Sequence, residues 1–146
     1  MYFLGAMLVV VALSVTTQAS TPDAYSIAVL VPTTPFFNDI YGDPLAIIRE
    51  GRQVVITTTY RNSVEQEVPF VGIIEVRAID GVTLFLHWQS NTVAPLGNKT
   101  MGVPWVAPES SSYESRAFAI TDFENPQVLS PVASFVTDMP CIVQCR

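Results

Sequence analysis

The sequence predicts an all-β protein, an antiparallel β-sandwich of about seven strands. Three observations carry this. Short runs rich in Val, Ile, Thr, Phe and Tyr recur between Gly-, Pro- and Asn-containing turns at spacings of roughly 8–12 residues. Apolar residues nowhere sustain a helical repeat, and 11 prolines in 146 residues outnumber any single charged residue type, which suits short strands and punctuated turns. Finally, the stretch from Val68 to Ser90, VPFVGIIEVRAIDGVTLFLHWQS, reads as a β-hairpin about Asp80-Gly81, a dipeptide that favours tight turns between apolar runs.

The hairpin fixes a register by arithmetic. A two-residue loop would set Glu75 opposite Leu86 and Arg77 opposite Leu84, placing charges on the face that has to be buried. A three-residue loop, Ile79-Asp80-Gly81 with Gly81 in the left-handed region, pairs Ala78 with Val82, Val76 with Leu84, Ile74 with Leu86 and Gly72 with Trp88. One face is then wholly apolar, and the other carries Glu75 and Arg77 beside Val71, Ile73, Thr83, Phe85, His87 and Gln89.

Before the hairpin, Tyr25–Val31 is a strand candidate closed by Pro32, and Thr33-Thr34-Pro35 is either a linker or a kink in an edge strand. A first strand is expected to resume at Leu45–Ile48. Val54–Tyr60 follows as a β-branched strand with Val54, Ile56, Thr58 and Tyr60 on one face. After the hairpin, Thr92–Asn98 is a Pro/Gly loop and Thr100–Val106 a short strand bracketed by Pro104 and Pro108. In the strand Tyr113–Thr121, Tyr113, Ser115, Ala117 and Ala119 alternate with Glu114, Arg116, Phe118 and Ile120. The small side chains are expected inside, beneath Trp88. Pro131–Thr137 completes the set.

Met1 to Ala19, MYFLGAMLVVVALSVTTQA, resembles a secretory signal peptide, although it lacks a Lys or Arg at its start. Uncleaved, the same run is an N-terminal anchor, and the only membrane contact expected is through residues 1–19. Either way the domain ends outside the cytoplasm. The expected organisation is a signal or anchor at 1–19, an extension with a possible strand at 20–42, the sandwich at 43–140 and a cysteine-containing tail at 141–146. With a net charge of −6 and its seven Lys and Arg scattered singly, the chain has no basic stripe, so nucleic acid is not an expected partner.

From about Gly42 to Pro140, the segments REGRQVVITTTYRN, EVPFVGIIEVRAIDGVTLFLHWQS, PLGNKTMGVPWVAPESSSYESRAFAI and ENPQVLSPV resemble the Ig-like modules of secreted archaeal proteins, especially those of ammonia oxidisers. These are similar in turn to the CARDB and FxLYD adhesion-type β-sandwich families. The resemblance implies an Ig-like or fibronectin-like sandwich that serves as an extracellular binding or scaffolding module, with no catalytic residues to carry over.

The inventory of reactive side chains is small. His87 is the only histidine, so a Ser-His-Asp triad would have to recruit it from mid-strand with no nucleophile elbow in the chain, and blue-copper or three-histidine zinc sites are excluded. The loop carboxylate pairs Asp39/Asp43, Glu65/Glu67 and Asp122/Glu124 lie in no calcium-loop frame. No catalytic residue, metal site or cofactor is expected. Outside the cell, Cys141 and Cys145 should oxidise, but an extended strand would hold their Cα atoms about 13 Å apart, so a bridge requires the tail to turn. Intermolecular pairing, free thiols and metal binding are the alternatives. Asn98-Lys99-Thr100 is an N-glycosylation sequon.

The expected function is therefore a non-enzymatic extracellular structural or interaction module at the cell surface or within an assembly. It would bind a protein partner or itself through an apolar outer face of Val71, Ile73, Phe85, Phe118 and Ile120. The alternative is a secreted carbohydrate- or small-ligand-binding module using Trp88, Trp105 or Tyr113 as platforms, although strand spacing places Trp88 and Tyr113 in the core.

Overall fold

The computed structural model describes residues 28–45, 47–108 and 112–137. Residues 1–19, where a signal or anchor is expected, the start of the Tyr25–Val31 candidate and both Cys141 and Cys145 lie outside the described residues. Those described form eight strands and no helix: β1 (Leu30–Pro32), β2 (Phe36–Asn38), β3 (Gln53–Asn62), β4 (Val68–Ala78), β5 (Thr83–Val93), β6 (Asn98–Val106), β7 (Tyr113–Ile120) and β8 (Ala133–Val136). They build two antiparallel sheets. In one, β3 is central, with β6 along one side and β1 and β2 end to end along the other; the second runs β5-β4-β7-β8. The all-β sandwich is as the sequence predicts.

Alternation decides which side chains meet between the sheets. On β3, Val54, Ile56, Thr58 and Tyr60 point inward and are wholly buried, and on β7 Tyr113, Ser115, Ala117 and Ala119 do the same. From β6 come Met101, Val103 and Trp105, with the Trp105 ring edge-on to Tyr113 at 5.0 Å. Pro104 sits within β6 at no cost to its sheet, because β6 is an edge strand. The Tyr60 hydroxyl donates to the carbonyls of Ile73 (3.2 Å) and Phe118 (3.0 Å), tying β3 to both β4 and β7. Burial raises the phenol well above its ordinary pKa, against the smaller opposing effect of the Ile73 hydrogen bond.

At the opening of the chain the strands fall elsewhere than at Leu45–Ile48. Thr33-Thr34-Pro35 is a kink in an edge strand: the Thr33 N–H donates to the Thr59 carbonyl at 2.8 Å while both flanking segments pair with β3. Leu30 and Phe37 belong to the core, so the sandwich begins upstream of residue 43. The Asp39 carboxylate then accepts the N–H groups of Tyr41 and Asp43, turning the chain away before Leu45. Ile48 enters the core from irregular backbone.

Candidate functional site

The outward face of the β5-β4-β7 sheet is the candidate site, and its composition depends on the hairpin register. The turn itself forms as expected: Gly81 has φ +90°, its N–H donates to the Ala78 carbonyl, and the Ala78 N–H donates to the Val82 carbonyl at 2.8 Å. Beyond it the expected register fails. An irregularity between Val76 and Arg77 inserts one residue on β5, so that Val76 lies opposite Phe85, Ile74 opposite His87, Ile73 opposite Trp88 and Glu75 opposite Leu86. The far end of the hairpin accounts for the shift. Val93 is 1 % exposed and paired with Val68, so the odd residues of β5 face inward and the even ones outward.

This inversion re-sorts the predicted interface. Val71, Ile73, Phe118 and Ile120 share the outer face, since Val71 pairs with Ile120 and Ile73 with Phe118. Phe85 does not join them; it packs against the core from the other side and stacks on His87 at 6.4 Å. Leu86 and Trp88, which local patterning places inside, stand on the outer face at 50 % and 54 % exposure. Phe123, from the loop after β7, meets Trp88 edge-on at 5.6 Å and is itself 58 % exposed. Sequence reading misses Phe123 because nothing local marks a loop phenylalanine as the neighbour of a distant strand. Val71 and Ile73 are buried beneath this layer without belonging to the core between the sheets.

One charged group lies in the same face. Glu75 is 7 % exposed and accepts hydrogen bonds from Arg77 (2.9 Å), Thr83 (2.6 Å) and Arg116 (3.0 Å). Burial by itself would raise its pKa. The Thr83 and Arg77 hydrogen bonds, with the two guanidinium charges, outweigh that and hold it below the ordinary carboxylate value. The register explains how a carboxylate is tolerated opposite Leu86: its oxygens are satisfied from both neighbouring strands.

At one end of the face, Ser90, Asn91, Thr92, Lys99, Thr121 and Asp122 border a shallow groove of about 620 Å³. Trp105 and Tyr113 are buried and present no platform. Asn98 opens β6 in an exposed position. Asp39 and Asp122 spend carboxylate oxygens on nearby backbone N–H groups as turn formers. Among the described residues no three His, Cys, Asp or Glu side chains gather in a metal-binding arrangement.

No family model matches this sequence, and none of the curated proteins does. Solved structures match its fold. The chain is similar to part of the Bacteroides uniformis beta-glucuronidase, at 10 % identity and a TM-score of 0.58 over 76 % of this chain, but it spans only 14 % of that protein. It is also similar to the C-terminal domain of Wzt, at 11 % identity and a TM-score of 0.54, over 79 % of this chain and 84 % of that one. These are β-sandwich domains, and the likeness is one of fold.

Proposed function

We propose that the chain is a non-enzymatic extracellular module that binds a protein partner through the outer face of the β5-β4-β7 sheet. One observation carries the reading: Leu86, Trp88 and Phe123, each half-exposed or more, lie together over Val71 and Ile73 on a sheet face that no other described strand covers. Contiguous apolar surface of this kind marks interaction sites, and exposed tryptophan is enriched where interfaces draw their energy. Export is supported by the apolar run at 1–19, and a surface or scaffolding role by the resemblance to the secreted archaeal, CARDB-like and FxLYD-like modules. The absence of a nucleophile motif and the single histidine support a binding role over an enzymatic one.

The test is a photo-reactive amino acid at position 88 of the full chain, irradiated in the producing cells. A discrete protein adduct is expected. Irradiation that yields no protein adduct from a folded chain refutes the reading.

A second reading, binding of carbohydrate, is favoured by the groove, whose hydroxyl and amide side chains adjoin Trp88 and Phe123 along the chain. Glycan-array binding by the purified protein that disappears in Trp88→Ala would favour it.

A further inference from the structure

We propose that the free edge of β5 pairs with β5 of a second copy, antiparallel about a two-fold axis at His87, joining two sandwiches through one continuous sheet. This rests on reading the chain as an interaction module and names the partner.

Sheet edges are normally protected against such pairing by shortness, proline or charge. Three of the four edges of this sandwich carry protection. The β1/β2 edge consists of two three-residue strands containing or flanked by Pro32 and Pro35, β6 contains Lys99 and Pro104, and β8 is four residues long. β5 has none of these features. It runs for 11 residues, TLFLHWQSNTV, without proline, aspartate, glutamate, lysine or arginine, and β4 is its only strand partner among the described residues. Leu86 to Ser90 are all solvent-exposed, although their side chains alternate between the two faces of the sheet.

Hydrogen bonding on the far side of the sheet identifies which β5 groups face the open edge. Ala119 accepts from the Leu129 N–H at 2.9 Å and donates to the Ser130 hydroxyl at 2.8 Å, so its backbone points away from β4. Backbone direction alternates along a strand, so Phe118 and Ile120 point toward β4, at Ile73 and Val71. Gly72, Ile74 and Val76 of β4 therefore point toward β5, at Gln89, His87 and Phe85. What remains turned to the open edge is the N–H and C=O of Leu86, Trp88 and Ser90, and the side chains of Leu86 and Trp88 form the apolar rim of the outer face.

A two-fold axis perpendicular to the sheet must pass through a residue position, because directly paired residues share a face. With His87 at the axis, Leu86 of each copy lies beside Trp88 of the other, and Leu84 beside Ser90. The same residues then contribute both the free backbone groups and the apolar side chains. This ladder supplies up to six main-chain hydrogen bonds, two from each Leu86–Trp88 pair and one from each Ser90 N–H to the Leu84 carbonyl of the other copy, because the extra residue in β5 turns the Leu84 N–H toward β4. Four large apolar side chains close over it.

The test is sedimentation of the full chain with two variants. Wild type should be dimeric in the micromolar range. Ser90→Pro removes an outward N–H and leaves the β4–β5 ladder intact, so it should be a folded monomer by circular dichroism. His87→Cys, in a Cys141→Ser/Cys145→Ser background, should form a covalent dimer on mild oxidation, because opposed residues in a non-hydrogen-bonded pair lie about 4.5 Å apart at Cα. A wild-type chain that stays monomeric into the high micromolar range overturns the proposal, as it would if a segment of the same chain covered the edge. So does a folded Ser90→Pro dimer, or a His87→Cys dimer whose introduced thiol stays reduced. A monomer whose position 88 still crosslinks to another protein defeats the edge pairing and leaves the proposed function standing.

Discussion

Gly72→Ala tests a tight contact between the two sheets. Gly72 faces inward on β4, and a Cβ added there would lie 3.0 Å from Met101 Sδ, 3.2 Å from Phe70 Cε2 and 3.2 Å from Tyr60 Cε2. Ordinary contacts between such atoms are about 3.5–4.0 Å, so each neighbour would have to retreat by roughly half an ångström. The Met101 thioether is flexible and yields cheaply. Tyr60 is pinned by its hydroxyl to two carbonyls and packs at 5.0 Å from the Phe70 ring, so neither ring moves without breaking something else. Overpacking of this kind costs about 1–3 kcal/mol. Replacing glycine returns about 0.4–1 kcal/mol through the unfolded chain. The net loss is about 1–2 kcal/mol, a fall in Tm of about 4–8 °C for a domain of this size. Thermal melts followed by circular dichroism read it directly, with Gly102→Ala as the comparison, since its added Cβ meets only Val55 Cγ1 closely, at 3.3 Å on an outer face. Gly72→Ala should remain destabilised when combined with Met101→Ala, because the two rings stay in place. A Gly72→Ala protein that melts at or above the wild-type temperature refutes the reasoning.

Gly81→Ala has open space around its Cβ but a φ of +90°, so its cost is backbone strain alone, about 1 kcal/mol in urea unfolding, and no second-site change in packing should relieve it. The pKa of Glu75 is lowered in the folded state, so its contribution is present above the ordinary carboxylate value of about 4.3 and fades as pH falls through the folded value. Urea denaturation between neutral and acid pH should show a shallower loss of stability in Glu75→Gln than in wild type. Tyr60 has the opposite sign: its raised pKa means that stability declines once pH rises past about 10, where the unfolded phenol ionises. Tyr60→Phe should remove that alkaline slope at a cost of about 1 kcal/mol at neutral pH. In Trp105→Phe the remaining Trp88 should emit at long wavelength and be readily quenched by acrylamide, whereas Trp105 in Trp88→Phe should be blue-shifted and protected.

Much of the site's setting is legible locally. The alternation on β3 and β7 names the inward residues of both, and the presence of Phe118 and Ile120 on an outer face follows from the inward placement of Tyr113, Ser115, Ala117 and Ala119. The Asp80-Gly81 turn is readable because a positive φ next to an aspartate side chain is a matter of a few consecutive residues; Asp80 accepts the Val82 N–H at 3.1 Å. Local reading narrows the Thr33-Pro35 kink to two alternatives, and the hydrogen bond to Thr59 selects the edge strand.

What the sequence determined alone was the set of strands in the second half of the chain, the Asp80-Gly81 turn and the sandwich class. All of these depend on local backbone preference and period-two burial. The tertiary structure decided the parity of β5. In that strand apolar and polar residues occur on both faces, so a slip of one residue exchanges Phe85 for Leu86 and His87 for Trp88 at little local cost. The choice is made away from the turn: Val93 is buried against Val68 at the far end of the hairpin, beyond Ser90, and Arg116 of β7 helps to satisfy Glu75 from outside it. A reading that stops at Ser90 and considers the two strands alone lacks both, which is why local pattern assigns Trp88 to the core while the folded chain holds it at the surface.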